Sequence, residues 1–422
     1  MKKILFICSP SISLLDTILP IFKFISTKYE IELLIPKYGN ILDFNNNNNL
    51  FNESKGIFNK INFINVNDKK NIYNCSYSNF IYLTNKNRIL NLLLKSASVL
   101  LNSESNFLTS LIIKYYIFFK IKLSKFEKAE FTNFFGKYDL IVYDITEEKK
   151  NYFKKISDLI KNKKKISLFH GSDYKILSEY DDNKSKINET YQLLWSNNPL
   201  ERKFYESQFK INSYFVTGNP KFDIDWIKHV QREVNFFNNK NKNVFLISRE
   251  SNQFFFPLKK KINYIQNIKK IIIDDLNLNL IIKLHPRENH SIGKKIYQNI
   301  LGKDNYSKNW IFSDENPYTI GKYSEFAISF YSGVSLDLLN INVPTIEYLN
   351  LESIKFTSLN KLIFKKNGIL NFQIVHQELA IPAKNFNDLK NKAIYIINTK
   401  KTVVEELKKS LSLNYKLKNN IK

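Results

Sequence analysis

The chain has 422 residues, 43% of them hydrophobic, with 64 Lys+Arg against 39 Asp+Glu and a net charge of +25, enough for two or three domains with sizeable cores. Its two cysteines, Cys8 and Cys75, exclude a disulfide framework and a Cys-x-x-Cys metal site and point to a reducing, cytoplasmic compartment. The excess charge is mostly Lys scattered among Asn, Ile and Phe, with no zinc-finger spacing, RNA-recognition aromatics or Arg-rich stripe, so no nucleic-acid partner is expected; phosphorylated substrates and the anionic inner face of a membrane are.

The first predicted element is a strand over 4–8, whose apolar core is too short for a signal h-region. A helix follows over 14–26, then strands over 31–35 and 61–66, with the Asn run 45–49 as a surface loop. Residues 86–135 read as largely helical. Within them 107–123 is the most apolar stretch, but Lys114, Lys120 and Lys122 interrupt it, so it reads as a buried helix, or one lying on a membrane surface, rather than a membrane span. Strands over 140–144, 166–169, 193–195 and 214–216 complete the first series. The polar, Lys/Asn-rich residues 227–243 read as a linker. The pattern then restarts, with strands over 244–247, 280–284, 310–312, 326–329 and 345–348. Helices are expected over 264–276, 334–339 and 387–397. The expected organisation is an acceptor domain over 1–226, the linker 227–243, a nucleotide-donor domain over 244–400 and a basic tail over 401–422. Strands alternating with helices predict parallel sheets covered on both faces, hence α/β domains in tandem across a cleft.

Four segments stand at strand ends. Ile281-Ile282-Lys283-Leu284 runs into His285-Pro286-Arg287-Glu288, and Pro286 cannot continue a central ladder. His285 and Arg287 therefore stand at the carboxyl end of a strand, the edge where open α/β sheets bind ligands, and a cation-capable pair there suits a phosphate. Leu168-Phe169-His170-Gly171 places His170 at a tight turn, as a turn residue, a general base or a phosphate ligand. Val216-Thr217-Gly218-Asn219-Pro220 reads as a structural turn. Tyr331-Ser332-Gly333-Val334-Ser335 opens a helix with free backbone N–H groups that favour an anion, Ser332 or Ser335 doubling as N-cap.

The order His170-Gly171, then Gly218-x-Pro220-x-x-Asp223, then Leu284-His285-Pro286, then Tyr331-Ser332 through Asp337 to Pro344 resembles the CDP-glycerol glycerophosphotransferase family. The last piece is also similar to the phosphate turn of UDP-N-acetylglucosamine 2-epimerases, and the His-Pro with a later Ser is similar to bacterial sialyl- and Kdo-transferases. The family has Asp-Tyr-Ser-Ser where this chain has Phe330-Tyr331-Ser332-Gly333, so a donor other than CDP-glycerol fits as well. The resemblance implies the GT-B fold, two Rossmann-like domains facing each other across a cleft. It implies a transferase that uses a nucleotide-activated donor and a glycan or lipid-linked acceptor in surface-polysaccharide synthesis, with no metal or other cofactor. In the implied mechanism His285, Arg287, Ser332, Gly333 and Ser335 hold the donor phosphates. Glu347, after the strand 345–348, holds the ribose hydroxyls. His170 deprotonates the acceptor, with Asp144 as the reserve base. Two other readings are a nucleotide-sugar epimerase of the same fold and a non-catalytic basic protein of the membrane surface.

Overall fold

The structure, a computed structural model, describes residues 1–7, 13–35, 57–65, 76–78, 133–144, 160, 162–168, 190–194, 211–251, 256–286, 288–352, 363–366 and 369–414. His170, Gly171, Arg287, the apolar stretch 107–123 and the end of the basic tail lie outside these residues. The chain divides into two compact units, and the second takes in everything from Val216 onward.

The first unit is built on strands β1 (Lys3–Ile7), β2 (Glu30–Ile35), β3 (Lys60–Asn65), β4 (Ser76–Ser78), β5 (Leu140–Asp144), β6 (Lys164–Leu168), β7 (Thr190–Leu194) and β8 (Ile211–Val216). They lie in the order β4-β3-β2-β1-β5-β6-β7-β8. The antiparallel pairing of β3 with β4 closes one edge, and β1 runs parallel to both β2 and β5. Helix α1 (Ser13–Ile25) packs Phe22 edge-on against Phe6 of β1, with ring centroids 5.2 Å apart. The strand order reverses beside β1. Asp144 is the last residue of β5, in register with Leu168 of β6, which places its backbone at the carboxyl edge next to that reversal.

The second unit follows the same logic. Its central strands are β9 (Asn243–Ile247), β10 (Asn279–Lys283), β11 (Trp310–Phe312), β12 (Ser324–Ser329), β13 (Thr345–Tyr348) and β16 (Ile381–Ala383), in the order β11-β10-β9-β12-β13-β16 with every pairing parallel. Numbered along the chain, that order is the 3-2-1-4-5-6 of a doubly wound nucleotide-binding sheet. Strands such as NVFLI and NLIIK are apolar at successive positions because helices cover both faces. The helices are α2 (Ile224–Val230), α3 (Leu258–Ile268, continued by a π-helical segment Lys269–Asp275), α4 (His290–Leu301), α5 (Pro317–Lys322), α6 (Val334–Asn340), α7 (Gln373–His376) and α8 (Phe386–Asn414). A hairpin of β14 (Ile363–Lys366) and β15 (Ile369–Phe372) precedes α7.

Two expected boundaries differ from the structure. Residues 227–243 belong to the packed second unit: α2 closes with Val230 buried, and Phe236 and Phe237 lie against Phe245 and Ile247 on one face of the sheet. The Lys/Asn-rich composition hid two aromatic side chains that seal this face. The residues from 401 to 414 are not a free tail, because α8 runs on through a kink at Thr399 and buries Val403, Val404, Leu407 and Leu411.

On the opposite face Tyr264 and Tyr348 stack with centroids 4.2 Å apart. Burial pushes the Tyr348 phenol up to about 12 from an ordinary 10, against the opposing effect of the hydrogen bond from Asn267. Burial raises Tyr264 and Tyr297 as well. A folded-state pKa above the unfolded one contributes stability that is intact below about pH 10 and is lost as pH rises through about 12. Ultraviolet titration should therefore show these phenols ionising only as the unit unfolds. Ionisation of all 24 tyrosines near pH 10 in an intact fold would contradict this packing.

Candidate functional site

The chain leaves β9 towards β10 on one side and leaves β12 towards β13 on the other. At such a reversal neighbouring loops part and open a crevice at the carboxyl ends of the strands. Ser248 and Arg249 follow β9, and Phe330 and Tyr331 follow β12. Arg249 donates from Nη1 to the Tyr331 carbonyl, and its Cζ stands 4.7 Å from the centroid of the Tyr331 ring. Phe372, at the end of β15, stacks on the same ring at 3.8 Å and 18°. This sandwich holds Tyr331 at φ 74°, a left-handed conformation that costs a residue with a side chain on the order of 1 kcal/mol or more. Gly333, in contrast, has φ −62° and ψ −18°, a conformation open to any residue. The sharp turn of the segment rests on the tyrosine and not on the glycine.

The phosphate-binding expectations fall out as follows. Ser332 is partly exposed and its hydroxyl accepts from the Val334 N–H at 3.3 Å, as a local cap. Ser335 is fully buried within the first turn of α6, and its hydroxyl has no hydrogen-bond partner among the described residues. It points into the protein, because Leu338 one turn later packs on the sheet and positions three apart share a helix face. Glu347 lies inside β13 rather than after it, in register with Ser329, and is 4% exposed. Ser335 lies in the helix turn that follows β12 and Glu347 is level with Ser329, the last residue of that strand, so both lie near the carboxyl edge with their side chains buried. His285 also stands at that edge. It follows the buried Leu284 at the end of β10, is partly exposed, and donates its backbone N–H to Glu288 at 3.4 Å.

Beneath that loop is a buried polar network. Glu288 pairs through Oε1 with Lys261 of α3, and the two side chains are 6% and 1% exposed. Its Oε2 accepts from Ser248 Oγ at 2.8 Å, and Ser248 Oγ accepts from the Tyr297 hydroxyl at 2.9 Å. Lys261 also donates to the Arg249 carbonyl at 2.8 Å. Burial pulls the Lys261 ammonium below its ordinary pKa, against the opposing charge of Glu288. Gly293 on α4 leaves room for the carboxylate, since a Cβ there would stand 3.0 Å from Glu288 Oε1.

A second pair joins two of the motifs. Gly218, at φ 75°, turns the chain after β8; the Asn219 side chain accepts from the Lys221 N–H at 3.1 Å and Asp223 caps α2 through the Trp226 N–H at 3.0 Å. Lys221 then reaches Asp337 of α6 at 2.7 Å. Sequence reasoning singled out none of Arg249, Lys261, Glu288 or the Lys221–Asp337 pair as functional. Arg249 carried a usable signal, since charge follows an apolar strand there as it does after β10. Lys261 carried none within Lys259-Lys260-Lys261.

No family model matches the sequence, and no curated protein matches it. Solved structures do. S. aureus MnaA with UDP superposes with a TM-score of 0.51 at 11% identity, covering 97% of this chain and 91% of that one. UDP-GlcNAc 2-epimerase from Neisseria meningitidis bound to UDP-GlcNAc gives 0.51 at 10% identity, covering 96% and 94%. The wall teichoic acid polymerase TagF gives 0.52 at 12% identity, covering 98% and 84%. The fold is GT-B. In this GT-B chain the reversal beside β9 brings Arg249 and Tyr331 into contact, with the His285 loop on the adjacent strand.

Proposed function

We propose that the chain is a GT-B transferase that moves a glycosyl or polyol-phosphate group from a nucleotide-activated donor to a surface-polysaccharide or lipid-linked acceptor. The observation that carries this reading is the cationic carboxyl edge of the second sheet, where Arg249 bridges to Tyr331 at the strand-order reversal and His285 leaves the next strand. The order of motifs around that edge supports it. So do the ligands of the similar structures, UDP, UDP-GlcNAc and CDPG. In this mechanism His285, with Arg287, binds the donor phosphates beside the Tyr331-Ser332-Gly333 turn and stabilises the departing nucleotide, a form of electrostatic stabilisation that is often the largest catalytic term. His170 takes the proton of the acceptor hydroxyl, and Asp144 is the alternative base.

His285→Ala is expected to weaken nucleotide binding by about tenfold or more, and His170→Ala to lower turnover with donor affinity little changed. Calorimetry with CDP-, CMP-, UDP- and GDP-linked compounds and product analysis check this. An unchanged affinity in His285→Ala would overturn the phosphate assignment. A product that is only the epimerised donor would make the enzyme an epimerase, and a wild-type protein that binds no nucleotide would make it a non-catalytic scaffold.

Among the described residues no helix is long and apolar enough to cross a membrane. We place the protein in the cytoplasm, with reversible attachment to the anionic inner face of the membrane through its net charge of +25. Each Lys or Arg at such a surface contributes about 1 kcal/mol, screened within a Debye length. Co-sedimentation with anionic vesicles should fall as salt rises; no pelleting at low salt would rule attachment out.

A further inference from the structure

We propose that Lys261 and Glu288 are positioning residues of the donor site: the pair locks the loop carrying His285 to the strand end carrying Arg249, and through Arg249 fixes Tyr331. The proposal rests on reading this sheet edge as the donor site. Four observations lead to it.

Glu288 belongs to the His-Pro-Arg-Glu segment, yet its carboxylate turns inward and is 6% exposed, so it does not face a ligand. Its contacts come from four places in the chain: Lys261 on α3, Ser248 after β9, the His285 N–H after β10, and Tyr297 on α4 by way of Ser248. The network is closed, because each carboxylate oxygen is engaged and the ammonium is shared between Glu288 and the Arg249 carbonyl. A closed buried network specifies one arrangement of the elements that feed it. Lastly, desolvating two charges makes such a pair a poor source of stability compared with apolar packing of the same volume, so geometry is the better account of its presence.

The chain of contacts runs from Glu288 to Lys261, to the Arg249 carbonyl, and from the Arg249 guanidinium to the Tyr331 carbonyl. It spans the carboxyl ends of β10, β9 and β12, the three strands around the reversal. Lys261 is thus set apart from Lys259, two positions earlier, which is exposed.

The test compares the full-length protein with Lys261→Met, Glu288→Gln and Leu301→Ala. Leu301, buried one turn after Tyr297 on α4, is apolar and its side chain takes no hydrogen bond in the network, so its truncation controls for loss of packing alone. Hydrogen exchange is expected to accelerate by about tenfold or more in residues 248–251, 284–286 and 330–333 together in both pair variants, and not in Leu301→Ala. Affinity for whichever of CDP, UDP and GDP the wild type binds should fall by about tenfold in the pair variants and less than about twofold in Leu301→Ala. Faster exchange confined to residues around 261 or 288, or a pattern shared with Leu301→Ala, would reduce the pair to packing and overturn the proposal. Should the wild type bind no nucleotide, the donor-site reading fails, while the exchange pattern still decides whether the three loops are coupled through Lys261.

Discussion

Replacing Glu288 by alanine is expected to destabilise the second unit by about 3–5 kcal/mol, the cost of leaving one partner of a buried ion pair uncompensated. Among the described residues Lys261, 1% exposed, would keep only the Arg249 carbonyl as an acceptor, and Ser248 and the His285 N–H would lose the Glu288 carboxylate. Glu288→Gln should cost less, because an amide oxygen still accepts from Ser248. Removing both charges at once, as Lys261→Met with Glu288→Leu, should recover much of the loss, since no buried charge is then left unpaired. Urea denaturation of the set decides the matter, and a loss below about 1 kcal/mol for Glu288→Ala would show that the carboxylate is not held as described.

The second large effect is expected at Asp337. Its carboxylate is 7% exposed and pairs at 2.7 Å with Lys221, itself 15% exposed. Asp337→Ala should cost about 3 kcal/mol, the lower end of the range for a broken buried pair, because Lys221 retains a partial path to water. Lys221→Arg should be tolerated far better than Lys221→Met, since the charge is kept. The turn 218–223 is also tied down by the hydrogen bond from the Tyr318 hydroxyl to the Lys221 carbonyl at 2.7 Å, so losing the ion pair should free α6 more than the turn. Equal stability of Asp337→Ala and wild type would place the pair on the surface in solution.

Much of this architecture could be read before the fold was known, for a physical reason. Parallel strands buried on both faces appear as short unbroken apolar runs, and 244–247, 280–284, 310–312, 326–329 and 345–348 fall on β9, β10, β11, β12 and β13 within a residue or two. What was not legible depended on direction. Ser335 and Glu347 were singled out for their chemistry, but a hydroxyl or carboxylate in a sequence does not say how deeply it lies; in α6 and β13 both side chains are buried. A left-handed residue is normally supplied by glycine, so nothing in Tyr331-Ser332-Gly333 points to the tyrosine as that residue. Here the stack between Arg249 and Phe372, partners 82 and 41 positions away, holds a tyrosine there instead. The continuation of α8 was written in Val403, Val404, Leu407 and Leu411 at helical spacing, but the non-helical Thr399 and the charges around it broke the pattern at the point where the prediction stopped.

The place of β9 also bears on how the second unit comes together. It is the first strand of its sheet to be made and the one that ends in the middle. One side is filled when Asn243 meets Asn279 in β10, but the other stays open until Ser324 and Phe326 of β12 have been synthesised. For that interval an apolar strand presents an unsatisfied row of backbone donors and acceptors, the kind of edge that recruits a stranger. Closing a loop of that length before any contact rewards it makes formation of the unit slow compared with locally paired folds. The aromatic pair Phe236–Phe237, made just before β9 and lying against its face, is therefore the earliest cover available to the nascent strand.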